Sequence, residues 1–266
     1  GLDWQSGDNV VTLDDEFPSN LYPWMHLADL GVETRRTPTD RGRVDLQRLA
    51  DQCDKRTRVI TVSWIGYATG CRRDLEAIGQ IARDHEALFF VDAIQGIGAF
   101  PLDVDELKID FLAADGHKWQ LGPEGAGFAF VRKDRLALLR PTSVGWNSVQ
   151  QAHDFSRIEL NLKEDASRYE GGSQNMAGQM GLGASLKLLE SLEIAHVAAA
   201  IIDWTDEACD CLSELGAEIA SSREPDEASG IVAFELPGRD PQQVRRQALA
   251  AGVALACRNG RLRVSA

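Results

Sequence analysis

From residue 9 onward, short apolar runs alternate with stretches of helical periodicity, and this alternation limits the possible folds more than any other feature of the chain. The runs Asn9–Leu13, 32–36, Thr57–Ser63, 87–92, 111–114 and Gly127–Val131 are too short for buried helices and read as strands. Helical patterns occupy 20–30, 45–53 and 72–85 between them. Strand–helix–strand alternation builds an α/β fold: a mainly parallel, doubly wound sheet with helices on both faces. Turn-forming clusters at Ser6-Gly7-Asp8, Thr39-Asp40-Arg41-Gly42 and Gly122-Pro123-Glu124-Gly125 punctuate the pattern where that fold needs reversals.

After about Gly178 the pattern changes. Two consecutive helices, 179–192 and 194–215, lead into a strand at 230–236, a helix at 240–251 and two short strands at 253–257 and 261–264. Asn259-Gly260 between the last two is a type I′ hairpin signal. The expected organisation is a large α/β domain over residues 1–178 and a smaller C-terminal α+β domain over 179–266. A strand begins within a few residues of Gly1 and another runs almost to Ala266, so terminal segments on both sides are expected to be missing.

With 41 acidic and 28 basic residues the formal charge is −13, which opposes binding to nucleic acid or to an anionic membrane surface. No apolar run has the length of a membrane span. The five cysteines are odd in number and contain no CxxC pair, so neither a disulfide framework nor a zinc site is expected. No signal segment opens the chain, and the cytoplasm is the expected location.

Two strand ends carry the chemistry. Phe89-Phe90-Val91 ends in Asp92, with Gln95 three residues on; Phe111-Leu112-Ala113-Ala114 ends in Asp115-Gly116-His117-Lys118. Ligands of open α/β sheets bind at the carboxyl ends of the strands. A lysine amine, an acid for a pyridine nitrogen and a polar side chain for a phenolic oxygen are what pyridoxal 5'-phosphate requires. Lys118, Asp92 and Gln95 fit those roles, and His117 and Ser173 can donate to the phosphate. The pairs Gly96-Ile97-Gly98 and Gly125-Ala126-Gly127 lack the third glycine of a dinucleotide-binding turn.

The chain resembles the class V aminotransferase superfamily of fold-type I pyridoxal-phosphate enzymes, in particular its cysteine desulfurase and selenocysteine lyase-like branch. Val91-Asp92-Ala93-Ile94-Gln95 is similar to the strand that grips the cofactor ring, and Asp115-Gly116-His117-Lys118 to the lysine motif, 26 residues after Asp92. Phe17, in Glu16-Phe17-Pro18-Ser19-Asn20, stands where the family carries a ring-stacking side chain. Ser173, in Gly171-Gly172-Ser173-Gln174-Asn175, stands where a hydroxyl reaches a phosphate, usually across a dimer interface. Arg261-Leu262-Arg263 resembles the strand with the substrate-carboxylate arginine, placed at Arg263, with Arg258 and Arg261 close by as alternatives. The resemblance implies a homodimeric enzyme acting on a small amino acid and, for transamination, a 2-oxo acid. It implies an aminotransferase first, and otherwise a lyase, desulfurase or epimerase without an enzyme cysteine, or a catalytically incomplete relative.

Each residue also has a plainer reading. Lys118 alone would be a surface lysine, Asp92 a helix cap, Phe17 core, Ser173 the cap of a helix near Met176, and His117 a structural histidine. Asp115 departs from the family, since a carboxylate facing a phosphate is repelled; it is expected to turn away or be bridged. Tyr67 also departs, standing near a position often held by asparagine. The segment between Arg258 and Arg263 holds no cysteine, where desulfurases carry their nucleophile.

Overall fold

A computed structural model describes residues 1–265. In chain order its elements are β1 (Asn9–Leu13), α1 (Tyr22–Met25), β2 (Glu33–Thr37), β3 (Thr39–Asp40), β4 (Arg43–Val44), α2 (Leu46–Asp51), β5 (Thr57–Ser63), α3 (Leu75–Asp84), β6 (Leu88–Asp92), β7 (Phe111–Asp115) and β8 (Gly127–Val131). There follow α4 (Met176–Ser191), α5 (Ile194–Glu214), β9 (Glu218–Ile219), β10 (Ile231–Glu235), α6 (Pro241–Ala250), β11 (Ala256–Arg258) and β12 (Arg261–Ser265).

The large sheet has the order β2-β1-β5-β6-β7-β8. All its pairings are parallel except β7–β8, which is antiparallel. This is the expected mainly parallel α/β architecture with one reversed edge strand. Side-chain alternation sorts the strands onto two faces. Val11, Ile60, Phe89, Val91 and Leu112 form the larger core with Leu49 of α2 and Leu75, Ile78 and Ala82 of α3. Val10 and Val59 face the other way, against Val32, with Trp4, Trp24, Leu27, Leu88 and Phe90 packed around them.

The second sheet, β11-β12-β10-β9, is antiparallel throughout. It is not isolated: Ile231 of β10 is buried in the larger core, with Ala198, Ile201 and Ile202 of α5 against it. Asn259 and Gly260 adopt φ of 49° and 77°, the left-handed pair that a type I′ turn demands.

Three helices differ from the sequence reading. The segment 20–30 is not one helix but a 3-10 turn at Pro18–Asn20, the short α1, and a 3-10 stretch over His26–Leu30. Pro23 lacks an N–H and is accommodated only in the first turn of a helix, which fixes where α1 starts. The helix expected over 72–85 begins at Leu75, because the Asp74 carboxylate accepts a hydrogen bond from Ala77 N at 2.9 Å and caps it. This leaves Arg72 and Arg73 outside the helix. The helix read as beginning at 179 starts at Met176, capped by Asn175, whose side chain accepts from Gly178 N at 3.0 Å. The plainer role considered for Ser173 thus belongs to Asn175.

Candidate active site at two neighbouring strand ends

β6 and β7 lie side by side with Asp92 in register with Ala113, so Asp92 and the Asp115–Lys118 segment emerge at the same edge of the sheet. A pocket of about 350 Å³ opens there, lined among others by Asn20, Asp92, Asp115, Gly125 and Gly127. Lys118 is exposed. No ion pair engages its ammonium among the described residues.

Asp92 is mostly buried, and its Oδ1 accepts a hydrogen bond from Ile94 N at 3.1 Å. Burial pushes its carboxyl up to about 6, and the nearby Glu16 charge adds to the rise, while the Ile94 N–H and Arg73 oppose it. Burial without a cation in contact leaves Asp92 short of a positive partner. Gln95 accepts a hydrogen bond from Trp119 Nε1 at 3.1 Å, which ties the Asp92–Gln95 turn to the residue next to Lys118.

Asp115 is bridged, one of the two outcomes expected for it. Its Oδ2 lies 3.1 Å from His117 Nδ1, close enough for an ion pair but misaligned for a hydrogen bond. Asp115 Oδ1 and His117 Nδ1 are therefore buried polar atoms without a hydrogen-bond partner. With Nδ1 turned to Asp115, His117 has Nε2 left for an anion.

Of the three C-terminal arginines, one turns to the large sheet. Arg263 Nη1 donates to the carbonyl oxygen of Tyr67, and its Nε is buried without a partner. Burial lowers its pKa, as does the Arg258 charge beside it. Arg261 pairs with Glu235 at 2.7 Å, and Arg258 is exposed and donates to the Cys257 carbonyl. The Tyr67 ring stands edge-on to Phe17, with centroids 5.2 Å apart and planes at 75°. Phe17 is 44% exposed. Ser173 is exposed, and of the expected site residues Asp92 alone lines the pocket; Phe17, Gln95, His117, Lys118 and Ser173 lie outside its lining.

Sequence reasoning missed the polar network beside Asp92. Glu16 accepts from Ser63 N at 2.8 Å, from the Ser63 hydroxyl and from Asn20 Nδ2 at 3.0 Å, and pairs with Arg73 at 3.0 Å. Arg73 also pairs with Asp15 at 2.6 Å. The side chains of Glu16 and Arg73 are 0% and 1% exposed. Removing one partner of such a buried pair strands the other charge, at a cost of about 3–5 kcal/mol. Arg73→Met, which leaves both Asp15 and the buried Glu16 without their cation, is therefore expected to lower unfolding free energy by about that amount in urea denaturation. A change under about 1 kcal/mol would mean that water reaches Glu16.

The family model for class-V aminotransferases matches residues 1–262. The chain belongs to that family. It is 35% identical over 247 residues to a probable cysteine desulfurase of Methanothermobacter thermautotrophicus, covering 92% of this chain and 61% of the relative. It is 31% identical over 237 residues to a cysteine desulfurase of Pectobacterium atrosepticum, covering 87% of this chain and 56% of the relative. The chain thus spans about three fifths of the length of such relatives. Among solved structures it resembles an apo cysteine desulfurase from Thermococcus onnurineus, with a TM-score of 0.89 and 27% identity over 99% of this chain and 68% of that one. It also resembles the cystine C–S lyase C-DES in complex with its product cysteine persulfide, with a TM-score of 0.90 and 25% identity over 100% of this chain and 72% of that one. These likenesses bear out the class V resemblance and the fold-type I reading.

Proposed function

We propose that the chain is part of a pyridoxal-phosphate enzyme that acts at the α-carbon of a small amino acid and breaks a carbon–sulfur bond without an enzyme cysteine. The observation that carries the cofactor reading is the pairing of an unpartnered lysine, Lys118, with a buried carboxylate that lacks a cation, Asp92, at adjacent strand ends. The donor set fits the group. Asp92 suits a protonated ring nitrogen, Gln95 a phenolic oxygen, His117 Nε2 a phosphate oxygen, and the partly exposed Phe17 the cofactor ring.

When bound, pyridoxal phosphate supplies the electron sink that makes loss of a substituent from the substrate α-carbon possible. Lys118 would hold the cofactor through its amine, and the same amine, when free, would take the α-proton as general base. Arg263 holds the substrate carboxylate, for which its unpartnered Nε and remaining guanidinium N–H groups are suited. Elimination then breaks the Cβ–S bond. The sulfur leaves with its electron pair, and water converts the three-carbon remainder to pyruvate and ammonium. The desulfurase and C–S lyase names of the relatives favour elimination over transamination. Pyruvate release from L-cystine or L-cysteine tests this. Conversion of the amino acid only when a 2-oxo acid is supplied would make the enzyme an aminotransferase instead.

The sulfur is expected to leave as a free species. The hairpin between Arg258 and Arg263 is tight, and Cys257 sits in β11 opposite Leu262 of β12 with its side chain partly buried. Neither offers a thiol the reach of a mobile loop. Cys257→Ser is expected to leave sulfur release within about twofold of the parent, with no persulfide on the protein by mass spectrometry. A persulfide on Cys257, lost with activity in Cys257→Ser, would overturn this.

A further inference from the structure

Trp119 follows Lys118 directly, and its indole ends on Gln95, with Nε1 3.1 Å from Oε1. An indole N–H can only donate, so the amide oxygen of Gln95 is the acceptor and the orientation of the amide is settled. Gln95 Nε2 is left without a protein partner among the described residues. Were the indole absent, the amide could rotate and present its oxygen instead.

Trp119 is itself confined at its ring and at its backbone. A Cβ on Gly230 would lie 2.2 Å from Trp119 Cη2, so the backbone before β10 presses on the far edge of the ring. Gly98 has φ of 93°, and a Cβ there would lie 2.4 Å from the Trp119 carbonyl oxygen. The ring also packs against the larger core. A side chain confined in this way delivers its N–H to one place.

We propose that Trp119 is a positioning residue that fixes Gln95 as a hydrogen-bond donor toward the phenolic oxygen of the cofactor. The inference rests on the cofactor reading above and adds a direction to the Gln95 contact. Donation to that oxygen stabilises its deprotonated form, whereas an amide free to accept would stabilise the protonated one.

The test is a pH titration of the absorption bands of the reconstituted chain, made with the parent, Trp119→Phe, Gln95→Leu and the double variant. Trp119→Phe is expected to raise the apparent pKa of the bound chromophore by about 0.5–1 unit. Gln95→Leu moves it the same way at least as far, and the double variant matches Gln95→Leu, because Trp119 acts only through Gln95. An unshifted Trp119→Phe, or shifts that add in the double variant, overturns the proposal while leaving the cofactor reading intact. A parent chain that takes up no pyridoxal phosphate removes both. If Trp119→Phe does not fold, the indole N–H resonances of the parent and Gln95→Leu decide. One resonance must move when Gln95 is replaced, and no movement overturns the proposal.

Discussion

Lys118→Ala is expected to leave a folded chain that no longer attaches pyridoxal phosphate. The lysine is exposed and follows the end of β7, so its removal empties no core volume, and stability should stay within about 0.5 kcal/mol of the parent. The chemical loss is of another order. The amine that captures the cofactor and the base that takes the α-proton are the same group, so turnover should fall by about 10⁴-fold or more. Borohydride reduction followed by peptide mapping should place the pyridoxyl adduct on Lys118 in the parent and nowhere in the variant. The chain offers Lys55, Lys108, Lys133, Lys163 and Lys187 as internal controls. An adduct on any of these in the parent, with Lys118 unmodified, would sink the assignment.

Asp92 stood out in sequence as a candidate because it ends an apolar strand, and Lys118 because it follows three residues after the end of another, and apolar patterning shows where such strands stop. Gln95 followed from its spacing after Asp92. The strands were legible for the same reason. Asn9–Leu13, Thr57–Ser63 and Gly127–Val131 emerge with the expected bounds, and the hairpin at Asn259-Gly260 has the backbone that its dipeptide dictates. What depends on distant partners was not legible. Glu16 and Arg73 are 57 residues apart in sequence, and neither sits in a pattern that announces an ion pair. A buried carboxylate directly after the acidic pair Asp14-Asp15 looks like one more surface charge until the fold closes over it. The choice among Arg258, Arg261 and Arg263 was likewise open in sequence. Arg261 is taken by Glu235 on the neighbouring strand while Arg263 reaches across to Tyr67, a difference that only the folded chain displays. Apolar periodicity over 20–30 suggests one helix, but Pro23 is tolerated only in a first turn, and α1 is confined to Tyr22–Met25.

Asp92→Asn is expected to separate stability from chemistry, in opposite directions. Burial pushes the Asp92 carboxyl up to about 6, against about 4 for an aspartate in the unfolded chain. Between those values the folded chain binds a proton that the unfolded chain has released. The folded state is therefore favoured by this group below about pH 4, and that advantage is lost as pH rises through about 6. A difference of about two units corresponds to about 3 kcal/mol at neutral pH, an order-of-magnitude figure. Asparagine keeps an oxygen to accept from Ile94 N and carries no charge to desolvate. The cofactor-free variant should thus gain about 1–3 kcal/mol at pH 7.5 and little at pH 4, the difference from the parent growing as pH rises through about 6. With the cofactor present the balance reverses. A protonated ring nitrogen gives the carboxylate the positive partner that the protein withholds, and asparagine cannot hold that proton in place. Exchange of the substrate α-proton should then slow by about 10²–10⁴-fold. Urea denaturation at the two pH values and α-proton exchange by NMR read the two arms separately. A variant with parent-like exchange would show that Asp92 does not face the ring nitrogen, whatever its stability. A variant no more stable than the parent at pH 7.5 would show instead that water or a cation already compensates the buried charge. The combination expected here, a more stable fold with less active chemistry, arises only if the cost of burying Asp92 is borne for the sake of the cofactor.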